Sequence, residues 1–125
     1  MGTYVILDLE MCRVAKRNRD KFPFSRELIQ IGAVAVNENH EIVDTFATFV
    51  KPEFGRVDDY IYKLTKITND DLDDAPLAKD ALEKFSSWLP KEAILVTWSE
   101  NDVKQINREL FAKSIDIPEL SDFLD

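Results

Sequence analysis

Apolar and polar positions divide this chain into short strand-like runs at the front and helix-spaced stripes behind. Tyr4 to Leu9 is a nearly unbroken apolar run, which predicts a short strand buried on both faces. A basic, irregular loop follows. Leu28 to Val36 predicts a second strand, and Gly32 within it suggests a bulge or a close backbone approach. The polar stretch Asn37-Glu38-Asn39-His40 reads as a turn, and Ile42 to Val50 as a third strand stopped by Pro52. So short a turn makes strands two and three an antiparallel hairpin.

Residues 53–76 are polar and acidic, a long connection with one helical turn after Thr68, whose side chain suits an N-cap. Pro76 then opens a helix, at an end where proline is tolerated. Its Leu77, Ala81, Leu82, Phe85, Trp88 and Leu89 fall at helical spacing before Pro90 stops it. Ala93 to Trp98 predicts another buried strand, and Ser99 the cap of a helix with Val103, Ile106 and Leu110 on one face. Leu120 to Asp125 reads as the start of one more strand. Strands joined through a helical crossover pair in parallel, so the fold class is α/β, a mixed sheet packed with helices.

At 125 residues the chain holds one domain. No apolar run approaches the ~20 residues of a membrane span, no signal peptide is apparent, and Cys12 has no partner for an internal disulfide. A cytoplasmic location is expected. The net charge of −8 argues against a polyanion as partner, but its distribution qualifies this. Residues 13–26 carry Arg13, Lys16, Arg17, Arg19, Lys21 and Arg26 against one acid, Asp20; the remainder holds ten basic and twenty-three acidic residues. The run is either a solvated surface loop or a local arm for a polyanion.

Candidate chemistry centres on Asp8 and Glu10. Two residues apart on a strand, they project from one face, at the C-terminal end where open α/β sheets place ligands. Converging carboxylates repel each other unless a cation neutralises them, and without a Cys/His cluster a hard ion such as Mg²⁺ or Mn²⁺ fits better than Zn²⁺. With fourteen Asp and ten Glu, about one Asp-x-Glu is expected by chance, so the spacing gains force only from ending an apolar strand. The alternative is a strand end emerging into solvent. Asp102 lies in the first turn of a helix at the same sheet edge, yet Ser99-Glu100-Asn101-Asp102 also fits a helix cap. His40, in a polar turn, reads as a surface residue; Cys12 has no histidine to activate it; Trp88 and Trp98 read as core.

Four segments together resemble the DEDD exonuclease superfamily, of DnaQ-like, ribonuclease H-type fold. Asp8-Leu9-Glu10 looks like its first motif, and Glu27-Leu28-Ile29-Gln30-Ile31-Gly32-Ala33-Val34 like the strand that follows. Leu64-Thr65-Lys66-Ile67-Thr68 is similar to the family's "L-T-G-I-T" turn, with Lys66 in place of glycine. Trp98-Ser99-Glu100-Asn101-Asp102 resembles the second motif and promotes Asp102 from cap to metal-site carboxylate. The look is nearest to the Eri1-type branch and its bacterial relatives.

The resemblance implies a ribonuclease H-like mixed sheet, antiparallel through strands one to three and then parallel, and a 3′–5′ exonuclease acting on single-stranded RNA or DNA ends. It implies two-metal hydrolysis with Mg²⁺ or Mn²⁺, Asp8 bridging the ions, Glu10 holding the first and Asp102 supporting the second. Met11, Leu64 and Thr65 would line the pocket for the 3′-terminal nucleotide. The family's last motif, a general-base His or Tyr and a fourth carboxylate on a final helix, has no counterpart before Asp125, and His40 does not match it by position. Residues 1–125 are therefore expected to form an exonuclease-type domain lacking its last helix, inactive in this form. One sheet face would be left apolar, for a second copy to cover. The alternative is a non-catalytic nucleic-acid-binding module that grips through the basic 13–26 loop.

Overall fold

A computed structural model describes residues 2–97 and 99–125. Strands β1 (Thr3–Arg13), β2 (Arg26–Val36) and β3 (Ile42–Phe49) are followed by helices α1 (Asp59–Thr65), α2 (Asn69–Asp73) and α3 (Ala78–Trp88). Strand β4 (Ala93–Thr97) and helices α4 (Glu100–Ala112) and α5 (Pro118–Leu124) complete the order. The sheet runs β3-β2-β1-β4, antiparallel through the first three and parallel between β1 and β4; the pattern predicted the β2–β3 hairpin and a parallel pair, and the resemblance implied the rest. Trp98, read as core, lies outside the described residues. No helix among the described residues is long and apolar enough to cross a membrane.

One face of the sheet carries the main core. Val5, Leu7 and Leu9 of β1 meet Leu82 and Phe85 of α3, Ile106 and Leu110 of α4, and Leu120 and Leu124 of α5. The other face is only partly covered. Cys12, Ile29, Val57, Ile61, Ile67 and Leu72 form a smaller cluster under α1 and α2. Towards β4 the same face is open: Tyr4 is 40% exposed, Ile6 37%, Ile94 46% and Val96 41%, with Tyr4 opposite Ile94 and Ile6 opposite Val96. The expectation that β1 is buried on both faces is therefore corrected, since over residues 4–9 it is buried on one; β4, expected to be buried, is only half-buried on its core side and exposed on the other.

Three other readings change. Leu120–Asp125 belongs to a helix, started by Pro118 at its first position with Leu120 and Leu124 one turn apart on the core side. Helix α3 begins at Ala78 rather than Pro76, because Pro76 accepts from Lys51 N and Leu77 bridges to Lys51 in extended conformation. The register shifts fall at Glu10/Met11 and at Ala35/Val36 rather than at Gly32, which pairs in register with Asp8. Thr68 caps α2 as predicted: it accepts from Asp71 N, and the Asp71 carboxylate accepts from Thr68 N.

Candidate active site

The even-numbered residues of β1 point away from the main core, which puts Asp8 and Glu10 on the partly open face. Asp8 is exposed and Glu10 half-buried. The register breaks just beyond them: Glu10 faces Gln30 but Met11 faces Leu28, leaving Ile29 as an extra residue. That bulge turns Ile29 into the smaller cluster beside Cys12 and bends the strand end at the site. Strand β4 ends opposite Leu7, so the chain entering α4 passes the carboxylate end of β1. Ser99 caps α4 by accepting from Asn101 N at 3.3 Å. Asp102 takes no part in that cap and is buried.

The charge of Asp8 reaches both other acids. Burial raises the Glu10 pKa, and the charges of Asp8 and Asp102 raise it further. Burial and then the charge of Asp8 raise that of Asp102. Among the described residues no three His, Cys, Asp or Glu side chains already form a ready-made coordination group. The donor set nevertheless fits a hard divalent cation: oxygen ligands only, mutually repelling, with no lysine or arginine paired to them among the described residues.

A cleft of about 430 Å³ opens beside Glu10, with Glu10 and Met11 on its floor and Tyr60 and Leu64 on the α1 side. Asn101, Gln105 and Arg108 of α4 and Arg26 of β2 form the opposite side. Met11 and the exposed Leu64, expected from the resemblance to line a nucleotide pocket, both line this cleft. Thr65 turns away: its hydroxyl donates to the Ile61 carbonyl at 2.9 Å and accepts from Ile67 N at 3.1 Å. His40 is exposed in the β2–β3 turn.

The basic segment folds into the end of β1, a short 3₁₀ turn over Lys16–Asn18, and a return into β2. Arg13 is held, its Nε 2.8 Å from the Asp58 carboxylate and its guanidinium 4.7 Å from the Tyr60 ring centre. The Asp58 pKa is lowered by the Ile61 amide and then by Arg13. Lys16, Arg17 and Lys21 are exposed.

Behind the Arg26–Arg108 wall lies a buried ionic network that the pattern of the chain did not announce. Glu27 accepts from the backbone N–H groups of Glu53, Phe54 and Gly55 at 2.7–2.9 Å. Lys113 Nζ lies 2.7 Å from Glu27 and 2.8 Å from Glu109, whose other oxygen accepts from Leu28 N and Gln105 Nε2. Gln105 also donates to the Arg26 carbonyl. Burial pushes the Glu109 carboxyl up, and Lys113 offsets this only in part. Burial opposes the charge on Lys113, but Glu109 and Glu27 outweigh it and hold the ammonium protonated above its ordinary range. Only the Glu109–Lys113 spacing was visible in sequence, where it looks like an ordinary surface pair.

Comparison with known proteins shows the family and the fold. The chain is 38% identical over 100 residues to a PolC-type DNA polymerase III of Caldanaerobacter subterraneus, covering 80% of this chain and 6% of the polymerase. A PolC-type polymerase of Staphylococcus epidermidis is 37% identical over 88 residues, again 6% of its length. Among solved structures, the nuclease domain of 3′hExo, a DEDDh family member bound to rAMP, superposes with a TM-score of 0.77 at 28% identity. That superposition covers 94% of this chain and 62% of the other. Escherichia coli exonuclease I with a dT13 oligonucleotide shares the fold, at TM-score 0.70 and 11% identity over 93% of this chain and 25% of its own. The exonuclease family model RNase_T matches residues 5–125, and the chain belongs to that family, with its ribonuclease H-like fold.

Proposed function

We propose that this chain supplies the metal-binding core of a metal-dependent 3′–5′ exonuclease that hydrolyses terminal phosphodiesters of single-stranded RNA or DNA. The observation that carries the reading is that Asp8 and Asp102 lie close enough to Glu10 for their charges to act on it, and that Glu10 lines a cleft of about 430 Å³. Asp8 and Glu10 would hold Mg²⁺ or Mn²⁺, with Asp102 completing the set from α4. When bound, the ions supply charge neutralisation and activation of water for attack on the phosphodiester. Met11 and Leu64 offer the terminal base an apolar contact. Thr65, expected from the resemblance to line the pocket, would act by fixing the α1 end that presents Leu64. The chain's one histidine lies in the hairpin turn, so residues 1–125 alone are proposed to bind a 3′ end and metal but to turn over poorly.

The experiment is binding of a fluorescent single-stranded oligonucleotide with a free 3′ hydroxyl, measured by anisotropy with Mn²⁺ and with EDTA. Affinity that rises with Mn²⁺ and loses that rise in Asp8→Ala supports the reading; equal binding in all conditions contradicts it. Exposure of Lys16, Arg17 and Lys21 favours one alternative, a non-catalytic module gripping nucleic acid through the 13–26 loop. Binding that survives Asp8→Ala and EDTA but fails in Arg17→Gln/Lys21→Gln selects it. A second copy of the chain is also proposed to cover the open apolar face around Ile6 and Ile94.

A further inference from the structure

The wall opposite α1 brings together two arginines that are 82 positions apart in the chain, Arg26 and Arg108, and both line the cleft that holds Glu10. Each is half-buried, and among the described residues neither is ion-paired to a carboxylate. A half-buried guanidinium without an anion is costly to keep unless the site receives one. Arg108 is steadied instead by the Phe24 ring, 5.3 Å from its guanidinium.

Their distance from the carboxylates follows from two independent elements. Arg108 is six residues beyond Asp102 on α4, about 9 Å along the helix axis at ~1.5 Å per residue. Arg26 pairs with Arg13, three residues beyond Glu10 on β1, or about 10 Å at ~3.4 Å per residue. The two backbone positions are therefore set back from the metal-site acids by similar rises, each along its own element, and both line the one cleft. Positions set back by that much suit a phosphate further along the strand than the one being cleaved. The buried network fixes the pair as a unit, since Gln105 ties the Arg26 carbonyl to Glu109, and Glu109 ties α4 to Leu28 N.

We propose that Arg26 and Arg108 form a phosphate clamp that grips an internal phosphodiester of the bound single strand while its 3′ end lies at Asp8, Glu10 and Asp102. The inference rests on the exonuclease reading for the placement of that 3′ end. It gives the cleft a polarity: carboxylates that need cations at one end, and fixed cations at the other. It also makes an oligonucleotide a better ligand than a mononucleotide, because only the oligonucleotide has an internal phosphate to offer.

The test measures two ligands on the 125-residue chain in Mn²⁺: a single-stranded 3′-hydroxyl decamer across a KCl series, and 5′-AMP. Arg26→Gln and Arg108→Gln should each weaken the decamer about 5- to 10-fold and lower the slope of log K against log[salt] by about 0.7, the loss of one phosphate contact. Arg108→Lys should keep the slope, AMP binding should be unchanged in all three variants, and Lys84→Gln on the remote face of α3 should change nothing. An unchanged decamer slope overturns the clamp, as does an equal loss for AMP and decamer, or a wild type that binds no decamer. If the clamp variants are silent while Mn²⁺-linked binding still needs Asp8, the clamp fails and the exonuclease reading stands. If the slope falls as expected but Asp8→Ala and EDTA have no effect, the clamp stands and the metal-dependent reading fails.

Discussion

Replacing Lys113 with methionine would leave Glu27 and Glu109, both fully buried, facing each other without a cation. Three backbone N–H groups still satisfy Glu27, and Leu28 N and Gln105 still donate to one oxygen of Glu109, while its other, buried oxygen loses Lys113, so the loss is the cation together with its hydrogen bonds. Removing one partner of a buried ion pair costs about 3–5 kcal/mol. Unfolding entropy of about 2.1 cal/mol/K per residue over 125 residues converts this into a fall in Tm of roughly 11–19 °C. Glu109→Gln in the same chain removes one of the two stranded charges and should recover about half of the loss. Urea unfolding of wild type, Lys113→Met and the double variant, followed by circular dichroism, measures all three. A loss below about 1 kcal/mol for Lys113→Met, or a double variant no better than the single one, would refute the network as the tie between β2, α4 and the 53–55 loop.

Lys66 sits in the left-handed region at φ 64° as the C-cap of α1, where the related motif has glycine, so Lys66→Gly should stabilise by about 0.5–1 kcal/mol, or roughly 2–4 °C in Tm; a lower Tm would show that the Lys66 side chain contributes more than the backbone strain it imposes. Without metal, the raised pKa values of Glu10 and Asp102 mean that the fold prefers their protonated forms. That stability is present below their ordinary values of 4.5 and 3.8 and is lost as pH rises through the raised folded values. In EDTA the urea midpoint contributed by these groups should therefore fall on going from about pH 4 towards pH 7, and Mn²⁺ should restore it in wild type but not in Asp8→Ala. Pairing through the open sheet face predicts a dimer by sedimentation at high micromolar concentration that Ile94→Lys dissociates; a monomeric wild type at that concentration contradicts the pairing.

Asp8 and Glu10 stood out as candidates because a charge ending an apolar strand is costly; Asp102 fitted a helix cap on local grounds and became a candidate only through the resemblance. The open face was not legible in the strands' own pattern, only in the missing last helix that the resemblance implied: Tyr4, Ile6, Ile94 and Val96 are as apolar as the buried Val5 and Leu7, so the alternation that marks a one-sided strand is missing. Helix α5 was misread because seven residues give barely two turns, too few for the period to outweigh an apolar run, although Pro118 with Leu120 and Leu124 carried the helical spacing. Arg108 and the Glu27–Lys113 contact were out of reach for a different reason. Their partners lie more than 75 positions away, and only the folded sheet brings α4 against the start of β2.

Direct titration of Mn²⁺ into the chain in the presence of 5′-AMP, by calorimetry, puts the central claim most plainly at risk, since it asks only whether Asp8, Glu10 and Asp102 act together as a metal site beside a nucleotide. The account predicts Mn²⁺ binding that AMP strengthens and that Asp8→Ala weakens at least tenfold, with Glu10→Gln and Asp102→Asn each weakening it less. Mn²⁺ binding of equal strength in wild type and Asp8→Ala would contradict it.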